Sequence, residues 1–240
     1  MANERLFSRA LVRVSPGEPA EDAAQFLQGL VTNDVTGALP VYAGLLTPQG
    51  KTLFDFIVWP GSEGSLLLDC EAAAADDLVK RLSLYRLRRK LSIAVEPALG
   101  VFWQAEVGDG GAPDPRLADL GQRWIAAVSD DDHAVDDDYR KHRLTLGVPE
   151  GRDELGDTLW LEANAAELNG VSFDKGCYIG QENTARMNWR QKVNRRLLVV
   201  PLARSDEKRR RIAHDDLGLA IDHLRAEDID PTLLPAWLSA

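Results

Sequence analysis

Apolar residues recur every three or four positions in two segments of the chain, which predicts two amphipathic helices. The first segment is "EPAEDAAQFLQGLVTND", where Phe26 and Leu30 fall on one face of the predicted helix. The second covers residues 71–91, where Leu78 and Leu82 form a stripe that continues toward a basic last turn. Both patterns are typical of helices that bury one face against a sheet.

Shorter apolar runs bounded by turn residues predict strands. In "YAGLLTPQGKTLFDFIVWP" two such runs flank "TPQG", where Pro48 and Gly50 favour a turn, so we expect a β-hairpin. Further strands are expected at "GSLLLDC", "SIAVEP", "VFWQAEV" and "RWIAAV", and shorter helices over residues 134–146 and at "LEANAAELNGV". After "RRLLVVPLA" the stretch "DLGLAIDHLRAEDID" favours helix over strand. The order of these elements predicts an α+β protein with mixed or antiparallel sheets.

Length and composition place the chain among globular proteins. With 240 residues and 45% hydrophobic residues it has enough apolar side chains for a sizeable core, in one large domain or two small ones. Apolar runs such as "LLVVPLA" are far shorter than the roughly 20 residues of a membrane helix, so we expect no membrane span. The stretch "MANERLFSRALVRVS" lacks a secretory pattern, and the sequence therefore predicts a cytoplasmic location.

The two cysteines differ in their surroundings and are too far apart in sequence to suggest a disulfide framework. Cys70 ends the apolar run "SLLLDC", which predicts a small buried residue at the end of a strand. The two cysteines and the four histidines show no metal-ligand spacing, so we expect no metal site.

The charge distribution argues against binding of nucleic acid by the whole surface, because the formal net charge is −10. One segment is an exception, since five basic residues and no acidic residue lie between Arg186 and Arg196. This basic strip predicts either a site that receives an anion or a solvated basic surface. No glycine-rich nucleotide-binding motif opens any of the predicted helices.

Residues 174–186, "DKGCYIGQENTAR", contain the pattern that best predicts chemistry. Gly176 and Gly180 bracket Cys177 and permit backbone conformations that a Cβ atom would penalise. A helix beginning at Gly180 or Gln181 would bring its N-terminal N–H groups near the sulfur, and both these groups and the Lys175 ammonium favour a thiolate. The alternative is a buried cysteine in a turn, with the lysine directed to solvent.

Further along the same predicted helix, Glu182 and Arg186 are four residues apart, a spacing that favours an ion pair. No histidine lies close to Cys177 in the sequence, which weakens a protease-like interpretation.

The octapeptide "KGCYIGQE" with the following "TAR" resembles the signature of the YgfZ family. Members are folate-binding proteins related to the glycine-cleavage T-protein and implicated in the maturation of iron–sulfur proteins. The segments "FLQGLVTNDV", "LLTPQGKTLFDFIV", "LYRLRRKL" and "LEANAAELNGVSFDKGCYIGQE" resemble other family blocks in the same order. The resemblance covers residues 20–200 approximately.

This resemblance implies a glycine-cleavage T-protein-like folate-binding fold. Residues 1–190 would form interlocked α+β subdomains around a folate pocket, and residues 191–240 a C-terminal region shorter than the family's β domain. The implied function is that of a tetrahydrofolate-binding accessory factor for assembly or repair of iron–sulfur client proteins, supporting cluster-dependent tRNA modification. The implied ligand is tetrahydrofolate or a one-carbon derivative, and no catalysed reaction follows from the resemblance.

The resemblance also assigns site residues. Cys177, on which the family depends, and Lys175 are the candidate catalytic residues. The remaining signature positions are Gly176, Tyr178, Gly180, Gln181 and Glu182, with Arg186 after them.

Four residues from other blocks are candidates for folate binding. Arg88 and Lys90 offer positive charge to the folate carboxylates, although capping of a helix end by basic side chains is the commoner explanation. Thr32 and Asp34 match the N-terminal block and either line the pocket or end a helix.

Two alternative functions remain open. T-proteins contact the pterin with a glutamate in "RLEAG", and the local counterpart "RLTLG" has Thr145 instead, which argues against a folate-dependent aminomethyl or one-carbon transferase. The second alternative is a module that binds RNA or a protein through "MNWRQKVNRR", with Trp189 available for stacking.

Overall fold

The computed structural model describes residues 3–190 and 193–238, which contain three β-sheets and five α-helices. The helices are α1 (Ala23–Gln28), α2 (Ala75–Arg86), α3 (Asp136–Thr145), α4 (Gly151–Leu155) and α5 (Gln181–Trp189). The strands are β1 (Glu4–Arg5), β2 (Arg9–Pro16), β3 (Val41–Leu46), β4 (Thr52–Pro60), β5 (Leu66–Glu71), β6 (Leu91–Val95), β7 (Leu99–Gln104), β8 (Ala112–Pro113), β9 (Gln122–Ala127), β10 (His133–Ala134), β11 (Arg195–Pro201), β12 (Arg210–His214) and β13 (Leu219–Arg225). This mixture confirms the predicted α+β class.

The first sheet is antiparallel, with the strand order β3-β4-β5-β2-β6, and both of its faces are buried. Phe56 of β4 packs in one core cluster with Leu78 and Leu82 of α2, whereas its neighbour Ile57 packs in a second cluster with Trp160. Because successive strand residues point to opposite faces, burial of both explains the continuous apolar run "FIVW". The predicted hairpin is confirmed as β3 and β4.

The second sheet has the order β10-β1-β7-β9-β8 and interlocks with the first along the chain. The chain forms β1 in this sheet, passes to the first sheet for β2 to β6, and returns for β7 to β10. Trp103 of β7 and Leu120, which lies just before β9, join the cluster that contains Ile57. The two sheets therefore share one core.

The C-terminal region forms a third, antiparallel sheet of order β11-β13-β12, so the predicted helix in "DLGLAIDHLRAEDID" is wrong. Seven residue pairs join β11 to β13, from Arg195 opposite Arg225 to Pro201 opposite Leu219. Adjacent residues of β13 point to opposite faces, where Ala220 and Ile221 enter different core clusters. The periodicity of so short a run does not distinguish a strand from a helix, and here the pairing with β11 determines that it is a strand.

The helix predicted at "LEANAAELNGV" is also wrong, because this segment is a series of turns. Asn164 and Asn169 have φ values of 61° and 53°, which lie outside the helical region. The Asn164 side chain is buried and donates through Nδ2 to the Leu197 carbonyl oxygen at 2.7 Å. The segment is therefore held against β11 by a side-chain bond that a regular helix would not make.

An ionic network fills the space between the first two sheets, α3 and the residue before α4. Its members are Arg9, Asp69, Asp114, Arg116, Arg123, Tyr139 and Glu150. Arg123 is inaccessible to solvent, and its guanidinium binds Asp69 at 2.9 Å and Asp114 at 3.0 Å.

The network stabilises its buried carboxylates. Burial alone would raise the pKa of Glu150, but the charges of Arg9, Arg116 and Arg123 outweigh burial and hold it well below the ordinary value. No pattern in the sequence predicts this network, because its seven members are scattered along the chain.

Candidate functional site

The signature segment lies on the turn of the β3–β4 hairpin. Gly180, just before α5, has a φ of 83°, and a Cβ atom there would lie 2.6 Å from the Thr47 carbonyl oxygen. One turn later, Asn183 donates through Nδ2 to the Gln49 carbonyl oxygen at 3.0 Å. The helix predicted to begin at Gly180 or Gln181 is confirmed, and the hairpin turn supports its first residues.

The two signature glycines differ in what they require. Gly180 needs both a positive φ and the absence of a side chain, as the sequence predicts. A Cβ atom on Gly176 would meet nothing within 4 Å, and Gly176 is not among the residues with positive φ. The predicted steric role therefore applies to Gly180 alone.

The thiol of Cys177 lies at the surface, whereas Cys70 is buried at the end of β5 as predicted. Burial raises the pKa of Cys70 to about 12, which makes it unreactive near neutral pH. The exposure of Cys177 contradicts the alternative of a buried cysteine in a turn. A reagent or a partner protein can reach this sulfur directly.

Lys175 does not point to solvent. Its ammonium donates to the carbonyl oxygens of Val31 at 2.5 Å and Asn33 at 2.9 Å, and it lies 5.2 Å from the centre of the Tyr178 ring. Partial burial lowers the pKa of Lys175 to about 8, with the Asp34 carboxylate opposing this shift. The side chain is therefore bound to the segment that follows α1.

That segment, residues 31–34, is bonded on both sides. Thr32 is fully buried, and its hydroxyl donates to the Gly170 carbonyl oxygen at 2.6 Å and accepts from the Gly44 amide at 2.8 Å. Asn33 donates through Nδ2 to the carbonyl oxygens of Tyr42 at 2.8 Å and Asn169 at 2.7 Å. The Thr32 hydroxyl therefore both donates and accepts a hydrogen bond within the protein.

Asp34 is half-buried and is held by local hydrogen bonds. Bonds from the hydroxyl and amide of Thr36, with a further bond from Gln28, lower the pKa of its carboxyl despite partial burial. Both Thr32 and Asp34 lie beyond the end of α1 at Gln28. Their predicted contact with folate stays a prediction.

An open cleft adjoins the signature segment. It is lined by Pro48, Tyr85, Tyr178, Ile179, Gln181 and Ala185. Glu182 stands at the same place and forms the predicted ion pair with Arg186, at 2.5 Å on the exposed face of α5.

A more enclosed cavity of about 400 Å³ lies at the other end of α5. Its apolar walls come from the turn segment, α5 and the chain after β13, including Leu161, Met187, Ile229, Leu234 and Leu238.

The polar side chains that line this cavity are Asn188 and an ion pair. Arg196 of β11 contacts Glu167 at 2.7 Å and donates to the Asn164 side chain at 3.2 Å. The second carboxylate oxygen of Glu167 is buried and has no hydrogen-bond partner among the residues that the structure describes. Arg196 belongs to the basic strip of the sequence, whereas no sequence pattern predicts a role for Glu167.

Arg88 and Lys90 lie outside both concavities. They are exposed and follow the end of α2 at Arg86. The Lys90 backbone accepts from the Gly17 amide at 2.6 Å and donates to the Glu21 carboxylate at 2.7 Å. These two bonds hold the main chain just before β6. The structure brings neither side chain to the cleft or the cavity.

The basic strip is divided among several roles. Arg186 and Arg196 are ion-paired, Trp189 is 89% exposed, and Lys192 lies outside the described residues. Across residues 3–190 and 193–238, no three His, Cys, Asp or Glu side chains gather as a metal site. None of the described helices has the length and apolarity needed to cross a membrane.

Comparison with known proteins identifies relatives of the chain. It is 38% identical over 237 residues to the mitochondrial iron-sulfur cluster assembly factor IBA57 of Homo sapiens, covering 82% of this chain and 65% of that protein. It is 35% identical over 232 residues to the IBA57 homolog of Neurospora crassa, covering 81% of this chain and 52% of that protein. The chain thus spans less than two thirds of the length of these curated relatives. No protein-family model matches the chain.

A solved structure shares the fold. Glycine cleavage system aminomethyltransferase T from Bartonella henselae superimposes with a TM-score of 0.65, at 12% identity, over 93% of this chain and 78% of that protein. The chain therefore has the T-protein fold, as its sequence predicts.

The predicted cytoplasmic location is wrong, because the curated relatives are mitochondrial proteins. A missing secretory pattern does not distinguish the cytoplasm from the interior of an organelle, which is why this prediction failed.

Proposed function

We propose that the chain is a reduced-folate-binding member of the YgfZ family that takes part in assembly or repair of iron–sulfur proteins. In this proposal folate occupies the cavity at the C-terminal end of α5, and Cys177 acts at the N-terminal end. The observation that carries the folate part is the Arg196–Glu167 pair in a cavity that is otherwise lined mainly by apolar side chains. The names of the relatives support the iron–sulfur part.

The size and the lining of the cavity support folate as its ligand. Its volume, about 400 Å³, lies in the range of small-ligand sites, and its aliphatic walls suit a flat pterin or benzoyl ring. Arg196 carries five N–H donors and can bind a glutamate carboxylate while it retains Glu167. Bound tetrahydrofolate would supply a carrier for one-carbon units.

Cys177 is suited to contact with an iron–sulfur client. Thiolate sulfur is the usual protein ligand of iron in such clusters, which are here the substrate of the protein. An exposed thiol on a surface segment can reach a cluster held by another protein, whereas the buried Cys70 cannot. Helix α5, nine residues and about 13 Å long at 1.5 Å per residue, runs from the segment that carries this thiol to the cavity.

Calorimetric titration with tetrahydrofolate tests the placement of the ligand. We expect Arg196→Leu to weaken binding by at least about tenfold, since one charge-assisted bond contributes about 1.5–3 kcal/mol. Arg190→Leu removes an exposed arginine of the same strip and is the matched control. Cys177→Ser is expected to bind like the wild type. Absence of saturable binding refutes the folate proposal, and equal losses in both arginine variants refute the site.

Complementation tests the thiol. In cells deprived of their own relative of this protein, the wild-type chain is expected to restore cluster-dependent enzymes and tRNA methylthiolation, and Cys177→Ala to restore neither. The variant has an exposed site and is expected to melt at the wild-type temperature. Full complementation by Cys177→Ala contradicts the role of the sulfur.

A folate-dependent aminomethyl or one-carbon transferase is the second candidate, favoured by Glu162. Thr145 of "RLTLG" is exposed on α3 and donates to the Lys141 carbonyl oxygen at 2.8 Å, away from the cavity. The segment "WLEAN", residues 160–164, shares Leu-Glu-Ala with "RLEAG", and its Glu162 is buried beside His223 at 3.0 Å. Turnover of an aminomethyl donor with tetrahydrofolate, lost in Glu162→Gln, supports this candidate, and no turnover with any donor rejects it.

A further inference from the structure

We propose that Lys175 is a positioning residue, which orients the Cys177 thiol by binding the 31–34 segment and takes no part in proton transfer with the sulfur. The meaning of this orientation for iron–sulfur clients rests on the proposed function. The anchoring itself rests on contacts within the chain.

The Lys175 ammonium is engaged on several sides. Of its three N–H donors, two serve the carbonyl oxygens of Val31 and Asn33, and the Tyr178 ring lies 5.2 Å away on another side. Within the described part of the chain, Cys177 forms no hydrogen bond with this ammonium. The lysine is thus occupied by an acceptor pair more than 140 residues earlier in the chain.

The acceptor pair is itself held firmly. The Thr32 hydroxyl joins the Gly44 amide of β3 to the Gly170 carbonyl oxygen, and the Thr32 carbonyl accepts from the Ser172 amide at 3.0 Å. The 31–34 segment therefore lies between the hairpin and the approach to the signature.

Successive bonds lead along the chain toward the thiol. The Ser172 hydroxyl accepts from the Lys175 amide at 3.3 Å, and the Lys175 side chain then reaches Val31 and Asn33. Gly176 and Cys177 are exposed, and the next buried side chain is that of Tyr178. Lys175 and Tyr178 therefore determine the orientation of the two residues between them.

This arrangement separates two effects that removal of Lys175 can have. Loss of an anchor lets residues 174–177 sample more conformations without changing the intrinsic acidity of the thiol. Loss of an electrostatic partner would instead raise the pH at which the thiol ionises, because a nearby cation favours the thiolate. The two roles therefore predict opposite results for backbone exchange and for the pH profile of alkylation.

The test compares wild type, Lys175→Met and Lys175→Arg, with the exposed Lys90→Met as matched control. Iodoacetamide alkylation of Cys177 is measured against pH, with Cys177→Ser as the blank for buried Cys70. We expect the pH midpoint of alkylation in Lys175→Met to differ from that of the wild type by less than about 0.5 pH unit, because solvent screens the lysine charge from the exposed thiol. Exchange of the hydrogen-bonded amides of Ser172 and Lys175 is expected to accelerate at least about tenfold as local opening becomes easier, and Lys175→Arg to restore part of the protection.

Two outcomes overturn the proposal. If the alkylation midpoint rises by one pH unit or more in Lys175→Met and returns in Lys175→Arg, the lysine activates the thiol. Unchanged exchange in Lys175→Met shows that the anchor has no effect. If Lys175→Met does not fold, Lys175→Gln replaces it, since the amide keeps N–H donors without the charge, and the same midpoint criterion applies. Neither readout involves folate or a cluster, so failure here is distinguishable from failure of the proposed function.

Discussion

The signature segment and the ionic network both depend on charged side chains, but they differ in access to water. Around Cys177 the Glu182–Arg186 pair is exposed, and such pairs contribute about 0–1 kcal/mol to stability. In the network the guanidinium of Arg123 and the carboxylates that it binds are closed to solvent. The comparison indicates that the network holds the two sheets together, while the signature segment keeps a reactive atom accessible.

Removal of one buried cation is expected to have the largest effect on stability. Arg123→Met leaves Asp69 and Asp114 short of a partner and is expected to lower the free energy of unfolding by about 3–5 kcal/mol. Arg186→Met removes the arginine of the exposed pair and is expected to lower the free energy of unfolding by less than about 1 kcal/mol. Urea unfolding measures both, and similar losses in the two variants would remove the distinction between the regions.

Asp55, which neighbours the network, is expected to make the stability of the protein depend on pH. Burial raises the pKa of Asp55 to about 6, opposed by the charge of Arg9. Because the folded state binds this proton more tightly than the unfolded state, Asp55 contributes stability below about pH 4 that is lost as the pH rises to 6.

Asp55→Asn removes this titration with little change of shape. The folded and unfolded pKa values of Asp55 differ by about 2. We therefore expect the free energy of unfolding of Asp55→Asn, relative to that of the wild type, to increase by about 2–3 kcal/mol between pH 4 and pH 7. Denaturant unfolding at both pH values gives the difference. A difference that does not depend on pH shows that Asp55 titrates alike in both states.

The two glycines of the signature give the smallest and sharpest contrast. Gly180→Ala forces an alanine to a φ of 83° and places its Cβ atom against Thr47, so we expect a loss of about 1–3 kcal/mol. Gly176→Ala meets open space and is expected to change stability by less than about 0.5 kcal/mol. Thermal unfolding of the pair measures both, and a larger loss at Gly176 would contradict the described backbone.

Several parts of the molecule followed from local sequence. The hairpin around "TPQG", helix α2 and the start of α5 were predicted because their signals lie in turn residues and in spacings of three to four positions. The exposed position of Cys177 agrees with glycines on both sides of it. Strand β13 was missed because a run of seven residues without strong alternation is ambiguous until its pairing partner is known.

The sequence by itself determined the helix that follows Cys177 and the candidate chemistry of its thiol, because these depend on residues close together in the chain. It predicted the T-protein fold through its resemblance to a family over residues 20–200. Only the tertiary structure decided that Lys175 binds Val31 and Asn33, and that Arg196 and Glu167 meet in a cavity at the far end of α5. It also gathered the scattered charges around Arg123. A charged residue read alone predicts exposure, and its partner is known only once the chain has brought distant carbonyl and carboxylate oxygens to it.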